Sequence, residues 1–347
     1  SITKKSLSIT ASSTNASAPT NYTFDYDGNN HGVQLTVTGI CLGDSPQFTF
    51  VVSDGVNVTS SSADLYLATA KNAGTYQVQV TDVVATETNY ELSLQVTQGF
   101  TINKRVIALS WSSTTLVYNG SEQTVTATVT NLVAGDTLSL TYTNDATYKN
   151  KATNVGSYTA KVDGIQGVSV GNYQLPTETP ASWQITPKAL TFNWVDYGGS
   201  TDTVLVETYD KTAYGKTLVV TGIIGSDVVT LTYSIPANVT SNLVSGTQIN
   251  NGTNYNFYAV KANDAGYQIV ITAVGNANNN YSLPLTDTSR TFTILRKEVG
   301  VTFAYTTPFT YDRTQKTVEA TFTGASIESG DVVSLTYDNS QVIEDIY

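Results

Sequence analysis

Between its Gly, Asn and Asp clusters the chain alternates apolar and polar residues with a period of two. Val33-Gln34-Leu35-Thr36-Val37-Thr38, Tyr76-Gln77-Val78-Gln79-Val80 and Val125-Thr126-Ala127-Thr128-Val129 each read this way. Successive side chains of a strand point to opposite faces, so the pattern gives each strand one dry and one wet side. The residues that carry it are β-branched or aromatic, which suits a half-buried pleated surface. No window holds apolar residues at i, i+3, i+4 and i+7 over three turns. The pattern therefore predicts an all-β chain, with at most single helical turns in its longer loops.

The strands recur in a fixed order. An apolar residue followed by Lys marks a junction at Ile2-Thr3-Lys4, Ile102-Asn103-Lys104, Ile185-Thr186-Pro187-Lys188 and Ile294-Leu295-Arg296-Lys297. After each comes an apolar strand and a Tyr-led turn: Tyr26-Asp27-Gly28, Tyr118-Asn119-Gly120, Tyr209-Asp210-Lys211 and Tyr311-Asp312-Arg313. A strand–turn–strand block follows, built around Gly43-Asp44, Gly135-Asp136, Ser226-Asp227 and Gly330-Asp331. Three copies continue with a Gly-led tyrosine strand (Tyr76, Tyr158, Tyr267) and close on Asn-Tyr-x-Leu at Tyr90, Tyr173 and Tyr281. The junction isoleucines lie 100, 83 and 109 residues apart, a spread that insertions between strands accommodate.

The expected organisation is three β repeats, 1–103, 104–187 and 188–296, and an incomplete fourth, 297–347. Each is read as a small β-sandwich of immunoglobulin-like type, with a β-grasp-like unit as the alternative, because 83 residues are few for seven strands. Connections as short as Pro187-Lys188 cannot act as flexible tethers, so the repeats are expected end to end in an elongated rod. The first residue is Ser1, and the chain is read as a mature or excised piece of something longer. The fourth repeat stops before its Gly-Tyr strand, which leaves self-association through 297–347 as one way to complete it.

Taken together, Ile185-Thr186-Pro187-Lys188-Ala189-Leu190-Thr191, the Tyr26-Asp27-Gly28 turn, the Gly-Asp between strands and Gly171-Asn172-Tyr173-Gln174-Leu175 resemble MBG/YDG-type repeats. Those repeats occur in tandem in very large bacterial surface adhesins. The resemblance covers the whole chain and is best over 104–187 and 188–296. It implies a secreted, surface-anchored adhesin stalk and brings no catalytic residues to carry over.

Composition narrows the chemistry. Lys+Arg 17 against Asp+Glu 28 gives a net charge of −11, a sign that repels phosphate backbones and argues against nucleic-acid binding. One His, one Cys and no Met leave no zinc-finger set and no disulfide within the chain, and any Ser-His-Asp site would have to use His31. No apolar run reaches the ~20 residues of a membrane-spanning helix. An enzyme is not expected, since small two-layer β units rarely enclose pockets of the size enzymes use; no catalytic, cofactor-binding or metal residue is assigned.

Several residues have the right chemistry for a sharper reading. Asp25, Asp27 and Asn29 have the alternate-oxygen spacing of a calcium loop, but the downstream Glu is missing, and Lys211 and Arg313 stand in the matching turns of other repeats. The favoured reading is a plain turn. His31 reads as a solitary exposed loop residue. Cys41, aligned with Leu132 and Ile223, reads as a small buried hydrophobe, with a Cys41–Gln47 thioester as the alternative. Lys4, Lys5, Lys104, Lys188 and Lys297 at the junctions could form isopeptide bonds with Asn, although a solvated lysine that blunts a strand edge is the commoner case. The repeated tyrosines are expected in the core with hydroxyls on backbone, in the manner of a tyrosine corner. Tyr255, Phe257 and Tyr258, read as an unrepeated insertion, are the candidate anchor for a carbohydrate or mucin ligand. Three functions follow: an adhesin stalk, a module binding host glycans or glycoproteins, and a self-assembling surface-layer or fibre protein.

Overall fold

The computed structural model describes residues 1–85, 87–304, 309–314, 316–323 and 327–336. Among them the regular elements are strands, and the only helical pieces are 3-10 turns at Val170–Asn172 and Ala277–Asn279. The protein is all-β, as the period-two pattern predicts. The β-grasp alternative needs a helix laid across its sheet, and the described residues supply none. By contact density the chain forms two compact units. Unit 1 comprises Ser1–Leu116, Glu122–Ala152 and Gly156–Gln184; unit 2 comprises Val117–Ser121, Thr153–Val155 and Ile185–Tyr347.

The clearest sandwich in unit 1 spans residues 5–103. One sheet runs, in spatial order, Asn57–Ser62, Leu65–Ala70, His31–Thr38, Lys5–Ser13 and Tyr90–Leu92. The facing sheet runs Thr23–Asp25, Val96–Asn103, Gly74–Val83 and Phe48–Val52. Alternation decides what lies between them: Val33, Leu35 and Val37 of one strand meet Val78, Val80, Phe100 and Ile102 of others in one buried cluster. Burying such a side chain contributes roughly 1.5–3 kcal/mol, so this shared face holds the two sheets together. Gly32 sits where the His31–Thr38 strand passes closest to its neighbour. A Cβ there would lie 2.1 Å from the Ala68 carbonyl oxygen, so any larger residue would push the ladder apart.

Unit 2 repeats this plan over 188–295. Thr191–Asp196, Tyr214–Thr221, Asn254–Ala259 and Thr240–Ser241 form one sheet. Val206–Thr208, Ser289–Leu295, Asn263–Asn276, Val229–Ser234 and Gln248–Ile249 form the other. Gly215 repeats the close approach of Gly32, 2.0 Å from the Phe257 carbonyl. The Leu/Phe-Thr-aromatic strand carries a register shift between Thr49 and Phe50, between Thr141 and Tyr142, and between Thr232 and Tyr233. A bulge conserved in place across three copies re-aims the aromatic and tightens the twist there.

Two parallel pairings frame the ends of each repeat. The junction strand lies beside the Asn-Tyr-x-Leu element: Lys5 faces Tyr90, Arg105 faces Tyr173, and Lys188 faces Tyr281. The strand leading into the Tyr turn lies beside the last strand, as Thr23–Asp25 does on Thr101–Asn103 and Val206–Thr208 on Thr293–Leu295. In unit 1 the strand ending at Asn103 is followed, after Lys104 alone, by the strand starting at Arg105.

Unit 2 also holds a lysine the pattern gave no reason to single out. Lys216, 1% exposed, extends from its strand to Asp196 Oδ1 at 2.6 Å, Asp202 Oδ1 at 2.8 Å and the Thr203 carbonyl at 2.6 Å. Arg290 holds the other oxygen of Asp202 at 2.7 Å. Burial pushes both carboxyls up, but the hydrogen bonds from Lys216 outweigh it, and both sit below the usual carboxylate range. The network ties the long Tyr197–Leu205 segment to the sheet. Lys216→Ala leaves Asp196 without its cation and Asp202 with Arg290 alone, and should weaken this sandwich by about 2–4 kcal/mol, at the lower end for a broken buried pair because both carboxylates are partly solvated. Hydrogen exchange of Thr191–Asp196 and Tyr214–Thr221 in the full chain measures it; unchanged protection would mean that the network adds nothing to stability.

Candidate functional site, a tyrosine–aspartate clasp

The Tyr-led turn is built the same way each time. Its tyrosine N–H bonds to the last residue of the final strand, Tyr26 to Asn103 at 3.0 Å, Tyr118 to Thr186 at 2.9 Å and Tyr209 to Leu295 at 2.9 Å. The Asp or Asn that follows then accepts the backbone N–H two residues on. The distances are 2.8 Å for Asn29 to Asp27, 2.9 Å for Ser121 to Asn119, 2.8 Å for Thr212 to Asp210 and 2.9 Å for Thr314 to Asp312. This is an Asx turn, the local reason these positions hold Asp or Asn.

The partner of that turn is the Gly-Asp loop. Its Asp N–H bonds back three residues, to Cys41, Val133, Ile224 and Glu328 at 3.0 Å in each case. The tyrosine of Asn-Tyr-x-Leu points at this loop and accepts the N–H of the same residue: Cys41 to Tyr90 at 3.1 Å, Val133 to Tyr173 at 2.9 Å and Ile224 to Tyr281 at 2.8 Å. Its own hydroxyl proton goes to the aspartate, Tyr173 to Asp136 and Tyr281 to Asp227, both at 2.7 Å, and Tyr90 to Asp44.

Two of these sockets are filled by a Tyr-led turn. In unit 1, Tyr26 donates to Asp136 Oδ2 at 2.7 Å, and its ring stands edge-on to Tyr173 with centroids 5.5 Å apart. In unit 2, Tyr118 donates to Asp227 Oδ2 at 2.8 Å and stands edge-on to Tyr281, again at 5.5 Å. Each turn glycine has positive φ, +83° at Gly28 and +79° at Gly120, and each abuts an apolar side chain. A Cβ on Gly28 would lie 2.5 Å from Val133 Cγ1, and on Gly120 2.7 Å from Ile224 Cγ2. An asparagine completes each clasp. Asn172 accepts the Ala73 N–H at 2.8 Å and donates to Asn72 at 3.1 Å; Asn280 accepts the Val155 N–H at 2.9 Å and donates to Asn154 at 3.1 Å. A third clasp in unit 2 uses charge instead. Tyr209 donates to Asp331 at 2.9 Å, while Lys211, at φ +67°, pairs with Asp331 at 3.0 Å and bonds the Ser329 carbonyl.

The electrostatics follow from two phenols on one carboxylate. Burial and the hydrogen bond to Asp136 push the Tyr26 hydroxyl up to about 12; burial and Asp227 do the same for Tyr281. Burial raises the Asp136 carboxyl, but the Tyr173, Tyr26 and Ser169 hydroxyls outweigh it and hold the group below its usual value. The arrangement fixes one loop on another through two phenols on a single carboxylate.

The structure redistributes the residues singled out from sequence. Asp27 bonds the Asn29 backbone and side chain and lies 2.8 Å from His31 Nε2, so both its oxygens are engaged; Asp25 accepts from Asn103 at 3.1 Å. The three residues do not converge on a cation position. His31 is not an exposed loop residue: it opens a strand, and its ring stacks on Phe24 at 4.7 Å. Cys41 is exposed rather than buried. Hydrogen bonding matches it to Val133 and Ile224, one position on from Leu132 and Ile223, and its Sγ lies 3.4 Å from Lys5 Nζ. Lys297 pairs with Glu328. Tyr255, Phe257 and Tyr258 form no insertion: they belong to a central strand that occupies the place of Leu65–Ala70. Tyr255 and Phe257 are buried, and Tyr258 stacks on Tyr197 at 4.7 Å. The Gly-led tyrosines come closer to expectation. Tyr267 is buried with its hydroxyl on the Lys261 carbonyl at 2.7 Å, and half-buried Tyr76 bonds the Asn72 carbonyl at 2.8 Å. The pairing of tyrosine with aspartate was missed, although both lay within quoted motifs; each recurs at a fixed place in every repeat.

No protein-family model matches the chain, and no curated protein matches it. Among solved structures it is similar to SGBP-B of the Bacteroides ovatus mixed-linkage glucan utilization locus in complex with a mixed-linkage heptasaccharide (13% identity, 85% of this chain and 71% of that one, TM-score 0.20). It is similar to the Yersinia pseudotuberculosis adhesin InvE (11%, 82% and 58%, TM-score 0.17). A Ca2+-stabilized adhesin that helps an Antarctic bacterium reach out and bind ice aligns as well (14%, 89% and 79%, TM-score 0.26). Superpositions this loose leave the functional reading to the chain's own geometry.

Asp136→Ala strands two phenols, and the lost charge-assisted bonds should cost about 2–4 kcal/mol locally. The expected sign is faster hydrogen exchange at Val133 and Ala73 with the strand cores unchanged. The pH dependence follows from the raised phenol: its contribution is fully present below the unfolded value near 10 and is lost as pH rises through about 12. Tyrosinate absorbance should therefore rise late for Tyr26 in the native chain and earlier in Asp136→Asn; identical titrations would remove the clasp.

Proposed function

We propose that the chain is part of a bacterial surface adhesin, secreted and displayed at the cell surface, in which tandem β-sandwich repeats serve as a stalk. The observation that carries this reading is the clasp. Tyr26 on Asp136 and Asn172 on Ala73 hold loops from distant parts of unit 1 together with almost no intervening linker, and Tyr118 with Asp227 does the same work inside unit 2. Repeated polar locks of this kind fix loops in place, as a spacer that must transmit position requires. The resemblance of the repeats to MBG/YDG-type sequences points the same way.

The reading assigns no ligand to the described residues. The aromatic trio proposed to anchor a glycan is spent on the core and on Tyr197, so attachment is expected from parts of the parent protein beyond these repeats.

Small-angle scattering of the full chain tests the stalk. A compact globule of this length has a radius of gyration of about 20 Å, and a stalk should exceed that by half or more. The same chain should be silent on a glycan array. A radius near the compact value, or saturable glycan retention, would overturn the proposal.

A further inference from the structure

The repeat at 104–187 leaves bare a sheet edge that the repeats at 1–103 and 188–296 cover with a strand. In those two, Leu65–Ala70 lies along His31–Thr38 and Asn254–Ala259 along Tyr214–Thr221, with Leu35 facing Tyr66 and Leu218 facing Tyr255. The strand on the other side fixes the correspondence. Ala11 faces Leu35, Trp111 faces Ala127 and Trp194 faces Leu218, at equal distances from Lys5, Arg105 and Lys188. Ala127 therefore stands where a covering strand is expected. Among the described residues, 143–155 contributes only the two-residue strand Lys151–Ala152, which pairs with Gln123–Thr124 and goes no further. The stretch beyond it, Val125-Thr126-Ala127-Thr128-Val129-Thr130, holds neither a charge nor a proline, the composition that adds readily to another strand.

Two side chains close this edge. Thr126 bonds inward, its carbonyl accepting the Ser112 N–H at 2.8 Å, so the backbone groups of Val125 and Ala127 face outward. Asn150, 6% exposed, takes both groups of Val125. Its carbonyl accepts the N–H at 2.8 Å, and its side-chain amide donates to the C=O at 3.2 Å. The Tyr142 hydroxyl takes both groups of Ala127, accepting the N–H at 2.8 Å and donating to the C=O at 3.4 Å. The bulge at Thr141 and Tyr142 aims it there. In the other two repeats the same bulge turns Phe50 and Tyr233 toward rings of the covering strand, Tyr66 at 5.4 Å and Phe257 at 5.3 Å. Where that strand is missing, the aromatic goes to the bare backbone instead. Its ring stands edge-on to Trp111 at 6.0 Å, and the loop carrying Asn150 is pinned by Trp183, whose Nε1 donates to the Lys149 carbonyl at 2.7 Å.

We propose that Tyr142 and Asn150 are edge guards, which deny the outer side of Val125–Val129 to the matching strand of a second copy of this chain. A hydroxyl closes both backbone groups of a residue and offers no new ladder, whereas a covering strand passes the unpaired edge on to its own far side. Without the guard, the edge would pair with its own copy, antiparallel about a two-fold axis, and the contact would close as a dimer. The inference stands apart from the stalk reading, since a repeat of any role has to keep such an edge shut.

Tyr142→Phe in the full chain tests the proposal, because it removes the hydroxyl and keeps the ring against Trp111; unchanged tryptophan fluorescence shows that the variant is folded. At low concentration, exchange of the Ala127 amide should rise about tenfold, the size of effect expected for one backbone donor left without its acceptor. In sedimentation the variant should move toward twice 37.1 kDa at concentrations about tenfold below any at which the parent does. The Ala127 amide should then become protected again as the variant associates, which places the contact at this edge. Adding Val129→Pro, which removes the next outward N–H, should return the variant to the parent's behaviour. Exchange at Ala127 that matches the parent's, a variant that associates no more than the parent, or association that leaves Ala127 unprotected or survives Val129→Pro overturns the proposal. The exchange and sedimentation of Tyr142→Phe decide it without the proline if that second change unfolds the repeat.

Discussion

A carboxylate drawn away from bulk water needs donors, and in this chain the donors are phenols that arrive from two different places. Asp136 takes one hydroxyl from Tyr173, 37 residues away, and one from Tyr26, 110 residues away. Hydrogen bonds to an ionised acceptor are roughly twice as strong as neutral ones, and a phenol brings a large apolar ring with its single donor. The pair therefore combines a directional bond with buried aromatic area at one point. Much of the surrounding architecture exists to deliver these groups. The parallel pairings at each junction set the height of the tyrosines, the Asx turn aims the incoming ring, and the three-residue backbone return of the Gly-Asp loop presents the carboxylate.

Strands were legible because their signal is local. Two residues decide which face is dry, and Val33, Leu35 and Val37 lie buried where alternation places them. Single tyrosines were legible as buried for the same reason. Their polar ends were not, since a hydroxyl can reach any acceptor the fold brings near and a sequence of this kind does not name it. Cys41 shows how narrow the gap can be. Aligned by hydrophobicity it falls beside Leu132 and Ile223, which are inward; aligned by the bond its N–H makes, it falls beside Val133 and Ile224, which cap a glycine. One residue of register changes an inert core thiol into an exposed one, which the Tyr90 hydrogen bond and then the Lys5 ammonium hold below the usual thiol range. His31 was misplaced for a similar reason. It follows turn residues in sequence, but the turn ends before it, and its ring is needed to cover Phe24.

The clasps also vary in a way that follows physical rules. Where the turn carries glycine, the socket answers with a β-branched side chain that fills the notch, as Val133 and Ile224 do. Where the turn carries lysine, at Lys211, the position opposite is Glu328, the aspartate gains an ion pair, and Glu328 is itself held by Lys297. Apolar contact has been exchanged for charge with the tyrosine–aspartate bond retained. A positive φ at Lys211 is unfavourable for any residue with a Cβ, by about a kilocalorie per mole or more, so the exchange persists because its ion pair and carbonyl contact offset the strain. Retention of the phenol through both solutions identifies it as the fixed element and the neighbour as the adjustable one.

Titration behaviour connects this choice of chemistry to the setting proposed for the chain. A clasp built from Asp and Tyr holds both partners in their bonding forms over an unusually broad range. The Asp136 carboxyl lies below its ordinary value and the Tyr26 hydroxyl near 12, so neither group changes protonation between mild acid and strong alkali. A histidine in place of the phenol would lose or gain its proton inside the range a surface meets. A lysine would keep its charge but leave the bond to be screened by salt, as exposed ion pairs are. The neutral donor on a half-buried anion avoids both weaknesses, and for repeats exposed to an uncontrolled medium that insensitivity is a more useful property than a larger binding energy would be.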